Sequence, residues 1–283
     1  MLITLLGTGT PILDPCRQGP AVLITIGPNQ VLFDAGRGVA TQLIRAGVEP
    51  WIVNPIFITH HHADHIGDLG DLILAAWNYG RTTPLQIFGP QGTAEIVSTL
   101  LDQIYIREIK FRLALKKTLG SEIIDIRELV KVTDIEPGLV YDNGIWQVKA
   151  EYVEHGHSIG LSQIDWPCLG YRVEAQNKIV AISGDAIVCK GLYRLAQGAN
   201  ALIQCCYLAD AEITNSDLEF LSKYVIASST QVGAFASRVK VKKLVLTHFR
   251  KKSDAMMRAL ESEIRNDYAG DLFLGQDLMV IKV

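Results

Sequence analysis

Asn54-Pro55-Ile56-Phe57-Ile58 runs directly into Thr59-His60-His61-His62-Ala63-Asp64-His65-Ile66-Gly67-Asp68. The first five residues read as a short buried strand, because Ile56, Phe57 and Ile58 are β-branched or aromatic and the polar residues begin where they stop. That strand delivers ligands: His60, His62, Asp64 and His65 follow within six positions. Imidazole nitrogen and carboxylate oxygen suit zinc and neighbouring divalent metals. Histidines at i and i+2 can converge on one ion, leaving Asp64 and His65 placed to hold a second. A lone HxH would read as a polar surface loop. Four of the seven histidines in one hexapeptide behind a buried strand read as a metal site.

Around this stretch the chain is ordinary. Its 283 residues suffice for one large domain, and no tandem repeat or low-complexity linker divides it, so a single domain over 1–283 is expected. Hydrophobic residues make up 48% and charged residues 20%, and no apolar run reaches the roughly 18 to 20 residues of a membrane span. Met1-Leu2-Ile3-Thr4-Leu5-Leu6 reads as a first strand and not as a signal segment. Cys16, Cys168, Cys189, Cys205 and Cys206 are odd in number and lack CxxC spacing, so a reducing cytoplasm is expected. A net charge of −3 gives no general attraction to nucleic acid.

In chain order, the first strand enters Gly7-Thr8-Gly9-Thr10-Pro11, which matches neither phosphate-binding fingerprint and reads as a tight turn passing close to an active site. Ala21 to Ile26 and Gln30 to Phe33 form a predicted hairpin ending in Asp34-Ala35-Gly36, where Asp34 is expected to support a metal site without being a ligand. Asp68 to Tyr79 is a predicted helix, Pro84 to Phe88 a strand and Thr93 to Leu101 a helix; this alternation points to an α/β layer fold. Residues 104 to 140 carry a basic run and then an acidic one, and are read as an accessory segment that caps the site, forms a dimer contact or is simply solvated.

Strand ends then repeat the opening theme. Gln147 to Val153 leads to His155 and His157; Lys178 to Ile182 leads to Asp185; Lys243 to Thr247 leads to His248. Either His155 or His157 could complete the first metal's shell, and the carboxylate of Asp185 can bridge two cations. Lys240, Lys242, Lys243, Arg250, Lys251 and Lys252 bracket the last of these strands and suit either an anionic substrate or a solvated surface.

With these motifs in order over nearly the whole chain, the sequence resembles the metallo-β-lactamase superfamily, in its ribonuclease Z and arylsulfatase-like branch. The resemblance rests on Leu5 to Pro11, Asp34-Ala35-Gly36, the HxHxDH motif of His60 to His65, Phe88 to Gly92, His155, Gly170-Tyr171-Arg172, Ile182 to Asp185, Leu244 to His248 and Leu278 to Val283. It implies an αββα four-layer sandwich of two similar halves, with two Zn2+ ions (or manganese or iron) at one edge. Carried over by position, His60, His62 and His155 would hold one metal, Asp64, His65 and His248 the other, and Asp185 would bridge them. Asp64 would orient the attacking water or take its proton.

The chain departs from the transfer-RNA processing enzymes of that family in two places. Between His155 and Asp185 lie 29 residues, too few for the long substrate-gripping arm common in bacterial members. Leu202 to Tyr207 and Ala227 to Thr230 stand where a His-Glu-Ala-Thr segment and a further histidine are usual, which leaves His157 as the candidate proton donor. The expectation is therefore a dinuclear zinc hydrolase acting on an anionic ester, a phosphodiester or sulfate ester. Transfer-RNA 3′ processing is the alternative, and a non-hydrolytic metal-binding or redox role the third reading. A small ester or nucleic-acid substrate, no membrane and homodimerisation by family resemblance complete the expected partners.

Overall fold

The computed structural model describes residues 1–283, folded as two seven-stranded sheets packed face to face with helices outside both. The first half of the chain supplies β1 (Leu2–Gly7), β2 (Ala21–Ile26), β3 (Asn29–Phe33), β4 (Val53–Phe57), β5 (Leu85–Gly89) and β6 (Val130–Asp134). The second supplies β7 (Gly138–Asp142), β8 (Trp146–Tyr152), β9 (Leu169–Ala175), β10 (Lys178–Ile182), β11 (Ala201–Cys205), β12 (Lys243–Thr247) and β13 (Asp271–Leu274), and β14 (Met279–Lys282) returns to the first sheet. The orders are β14-β1-β2-β3-β4-β5-β6 and β13-β12-β11-β10-β9-β8-β7.

Both halves follow one plan. Antiparallel pairing runs through β1, β2 and β3, then changes to parallel for β3 to β6. In the second sheet β8, β9 and β10 are antiparallel and β10 to β13 parallel. Parallel strands need crossovers over a sheet face, and those crossovers are the outer helices, among them Val39–Arg45, Leu69–Asn78, Lys190–Ala196 and Ser229–Val239.

Coverage on both faces explains the continuous apolar run of β4. Phe57 points between the sheets, stacked on Phe33 and Phe88 at 5.2 Å each, whereas Ile56 and Ile58 join the core under the outer helices. Three apolar layers result, one between the sheets and one outside each. The four-layer αββα expectation is met.

Residues 104 to 140 are built into this architecture. Helix Ile106–Thr118 buries Ile109 in the outer core of the first sheet, and Arg112 lies 5.0 Å over the Trp77 ring and donates to the Asn78 carbonyl. The segment then forms β6 and β7, one edge strand of each sheet. Its basic residues Arg107, Lys110 and Lys117 are exposed to solvent, and Asp134 at the end of β6 accepts from Gly92 and Ala94 N–H.

Candidate metal centre

The loop after β4 begins with Ile58 and Thr59, and both carbonyls bond to the second sheet at once. Leu169 N–H donates to the Thr59 carbonyl at 2.8 Å, and Tyr171 O–H donates to the Ile58 carbonyl at 2.5 Å. On the other side, Phe249 N–H donates to the Thr8 carbonyl at 2.9 Å, so the Gly7 to Pro11 turn anchors the end of β12. The two halves are thereby fixed against one another where the histidines emerge.

Seven side chains converge there, in two groups whose ligand atoms lie within 4.8 Å of one another: His60, His62, His155 and Asp185, and Asp64, His65 and His248. The groups touch through Asp185, whose carboxylate is 3.1 Å from His248 Nε2, 3.6 Å from His65 Nε2 and 3.9 Å from His155 Nε2. His248 Nε2 also lies 3.3 Å from Asp64 Oδ2, and His62 Nδ1 is 3.0 Å from His60 Nε2 and 3.3 Å from His155 Nε2. All are buried except the partly exposed His62.

Neighbouring groups set the ring orientations. Asp34 accepts from Thr59 N–H at 2.7 Å, from Thr59 O–H at 2.9 Å and from His65 Nδ1 at 2.8 Å, turning His65 Nε2 into the cluster. Thr59 Oγ1 bonds His60 Nδ1, and His155 Nδ1 donates to the Val225 carbonyl at 2.7 Å. Asp34 and His248 hold left-handed backbone angles, φ 62° and 61°, which are sparsely populated for non-glycine residues and recur where structure over-determines a functional side chain. At Gly36 an added Cβ would meet the Asp64 carbonyl oxygen, so the ligand loop packs directly on the turn after Asp34.

The protonation pattern suits a cation. Burial holds His60 well below the ordinary imidazole value, His62 at about 4 and His155 below that value, so three rings are neutral. Burial works against the Asp185 carboxylate, but His248 and His65 outweigh it and keep Asp185 well below the usual range. Burial also opposes charge on His65, and Asp185 with Asp34 overcomes it, so His65 is raised. His65 Nε2 is buried with no hydrogen-bond partner. An orphaned imidazole nitrogen facing a carboxylate and further imidazoles fits a divalent cation of the zinc class.

The structure brings His60, His62, Asp64, His65, His155, Asp185 and His248 together and leaves His157 out. His157 Nδ1 accepts from His155 N–H at 3.0 Å and its Nε2 donates to the Trp166 carbonyl at 2.9 Å, so both ring nitrogens serve the backbone. The basic bracket around β12 divides as well. Lys240, Lys242 and Lys243 sit at the end of the strand far from His248, and Lys252 is buried against Glu212 and the Tyr207 carbonyl. Arg250 pairs with Glu212 at 3.6 Å and lies 5.7 Å over the Tyr207 ring, and Lys251 is exposed. At the positions lacking the usual His-Glu-Ala-Thr residues, Gln204 and Cys205 are buried, and Ser228 caps helix Ser229–Val239 and donates to Asp210. Thr59, Trp166 and Tyr207 were not singled out from sequence; Trp166 lies 4.7 Å from the His62 ring and Tyr207 6.1 Å from His248.

Comparison with known proteins agrees with this geometry. Residues 14–195 match the metallo-beta-lactamase superfamily model. A ribonuclease Z of Mycobacterium avium is 35% identical, with 99% of this chain and 98% of the relative covered. Among solved structures, the metallo-beta-lactamase fold protein YhfI of Bacillus subtilis superposes with a TM-score of 0.74 at 17% identity, covering 99% of this chain and 98% of that one. The short form of human tRNase Z superposes at 0.72 with 24% identity, covering 100% and 99%. The chain belongs to the metallo-β-lactamase superfamily, in the branch that contains ribonuclease Z.

Proposed function

We propose that the chain is a dinuclear metal-dependent hydrolase of phosphodiesters. The observation that carries this reading is the contact of Asp185 with ligands of both groups, the arrangement expected of a carboxylate shared by two cations. His60, His62 and His155 would hold one ion and Asp64, His65 and His248 the other, with zinc the first choice by donor type and manganese or iron the alternatives. Two such ions supply an activated water at neutral pH and offset the negative charge that develops during attack.

The chain's own groups complete the chemistry. Asp64, hydrogen-bonded by His248 and held ionised chiefly by that bond against its burial, is placed to orient water or accept its proton. Asp34 fixes His65 and Thr59 and keeps the ligand loop in one geometry. Arg250, shared with Glu212 at 3.6 Å, and the exposed Lys251 follow His248 and would supply the positive charge that an anionic ester meets there.

Transfer-RNA 3′ processing is the second reading, favoured by the full-length likeness to a protein named ribonuclease Z. The short connection between His155 and Asp185 weighs against a long RNA-gripping arm. Hydrolysis of a chromogenic phosphodiester by zinc-loaded protein, beside a matching sulfate ester and a His62→Ala variant, tests the first reading. Phosphodiester turnover lost in the variant supports it, and the same preparation is then offered precursor transfer RNA. Turnover of the sulfate ester alone would move the assignment to that chemistry; turnover of neither would end it.

A further inference from the structure

Access to the cluster is one-sided. Of the seven convergent residues only His62 is partly exposed, so a substrate reaches the site past this ring. The side chain standing there is Trp166, itself partly exposed, with its ring 4.7 Å from that of His62 and 5.9 Å from that of His60.

Trp166 is held as a built element. It closes the loop between His155 and β9, in which Trp166 N–H donates to the Ser162 carbonyl, Ser162 O–H donates to Asp165 at 2.6 Å, and Gln163 donates to the Val153 carbonyl at 2.7 Å. His157 straps the loop at both ends, bonding His155 N–H and the Trp166 carbonyl. The indole and the third histidine of the first group are therefore positioned by one imidazole. The same loop exposes Ile159 and Ile164, the latter 89% accessible.

We infer that Trp166 is the wall of a substrate subsite for a flat aromatic ring, a nucleobase, attached to the phosphoester that enters past His62, and that His157 is its positioning residue. This rests on the anionic-ester reading and names the side chain that would hold the base of such a substrate. Stacking of a base on an aromatic side chain is sequence-tolerant and is worth roughly a tenfold change in affinity or more.

The test uses binding and not turnover. Zinc-loaded protein is titrated calorimetrically with adenosine 5′-monophosphate and with ribose 5-phosphate, which share sugar and phosphate and differ in the base. The wild-type chain is expected to prefer the nucleotide by about tenfold. Trp166→Ala should abolish that preference while leaving ribose 5-phosphate affinity and zinc content unchanged, and Trp166→Phe should keep part of it. His157→Ala should reduce the preference in the same direction as Trp166→Ala, whereas a merely structural His157 would alter both ligands equally. Equal binding of the two ligands by the wild-type chain, or a preference that survives Trp166→Ala, would overturn this inference alone. Binding of neither would overturn the anionic-ester reading together with it.

Discussion

In the first half of the molecule four of the convergent side chains come from the six residues His60 to His65, whereas in the second half His155, Asp185 and His248 come one at a time from beyond the ends of β8, β10 and β12. Both halves use the same antiparallel-then-parallel sheet, and both place ligands where strands stop. The difference is in how each geometry is secured. The contiguous loop depends on Asp34 and Thr59, which turn its rings inward, and the dispersed ligands depend on their strands being in register. Outer hydrogen bonds are concentrated on the local loop through Asp34 and Thr59, while in the second half His155 alone has comparable support, from the Val225 carbonyl and His157.

The largest effect is expected where the halves meet. Asp185→Asn weakens a ligand common to both groups, so both metals should be lost and turnover should fall by more than the roughly 10- to 100-fold typical of removing an outer partner. Elemental analysis together with phosphodiester kinetics checks this. Next come His62→Ala and His248→Ala, one in each group, each expected to leave about one metal per chain with the other group filled. Loss of both metals from either variant would show that the groups are not separable.

Asp34→Asn is the milder perturbation of the first half. It keeps a residue tolerant of the left-handed backbone but replaces an acceptor of three hydrogen bonds, so affinity at the Asp64, His65 and His248 group should drop about 10- to 100-fold while the other group is spared. Zinc titration with a chromogenic chelator would resolve the two sites. Equal weakening of both would mean that Asp34 supports the whole loop rather than His65.

Acidification probes the burial of the cluster in metal-free protein. His60, His62 and His155 are lowered by burial, His62 to about 4. As pH falls from about 6.5 towards about 4, the unfolded chain takes up protons that the folded chain refuses, so stability falls. His65 has the opposite sign: its raised value stabilises fully below about 6.5, and that contribution fades as pH rises through its folded value. Three groups against one predict a net loss, with a melting temperature about 5 °C lower at pH 5 than at pH 7. A higher melting temperature at pH 5 would show that the buried rings are not neutral. The smallest effect on turnover is expected from His157→Asn, which should leave phosphodiester hydrolysis nearly intact because both nitrogens of His157 are occupied by backbone; loss of turnover at unchanged zinc content would restore His157 as proton donor.

Legibility in sequence follows the same division. His60 to His65 could be read because ligands adjacent along the chain need no tertiary information. Asp185 and His248 could be read because each follows a strand with an apolar pattern. The choice between His155 and His157 could not, since it turns on Gly156, whose φ of 80° sends the chain back so that the His157 ring meets backbone. Strands β6 and β7 were hidden by their charge, which an edge position tolerates. The lysines around β12 looked like one cluster because sequence distance ignores the length of the strand that separates them. Trp166 carried no local signal at all: its place beside His62 depends on its backbone hydrogen bonds to Ser162 and His157.

The most direct test of a shared two-metal centre is the zinc content of the purified, zinc-loaded chain beside that of Asp185→Asn. A joint site bridged by this carboxylate predicts about two zinc ions per wild-type chain and fewer than one in the variant. One ion per wild-type chain, or two retained in the variant, would contradict it.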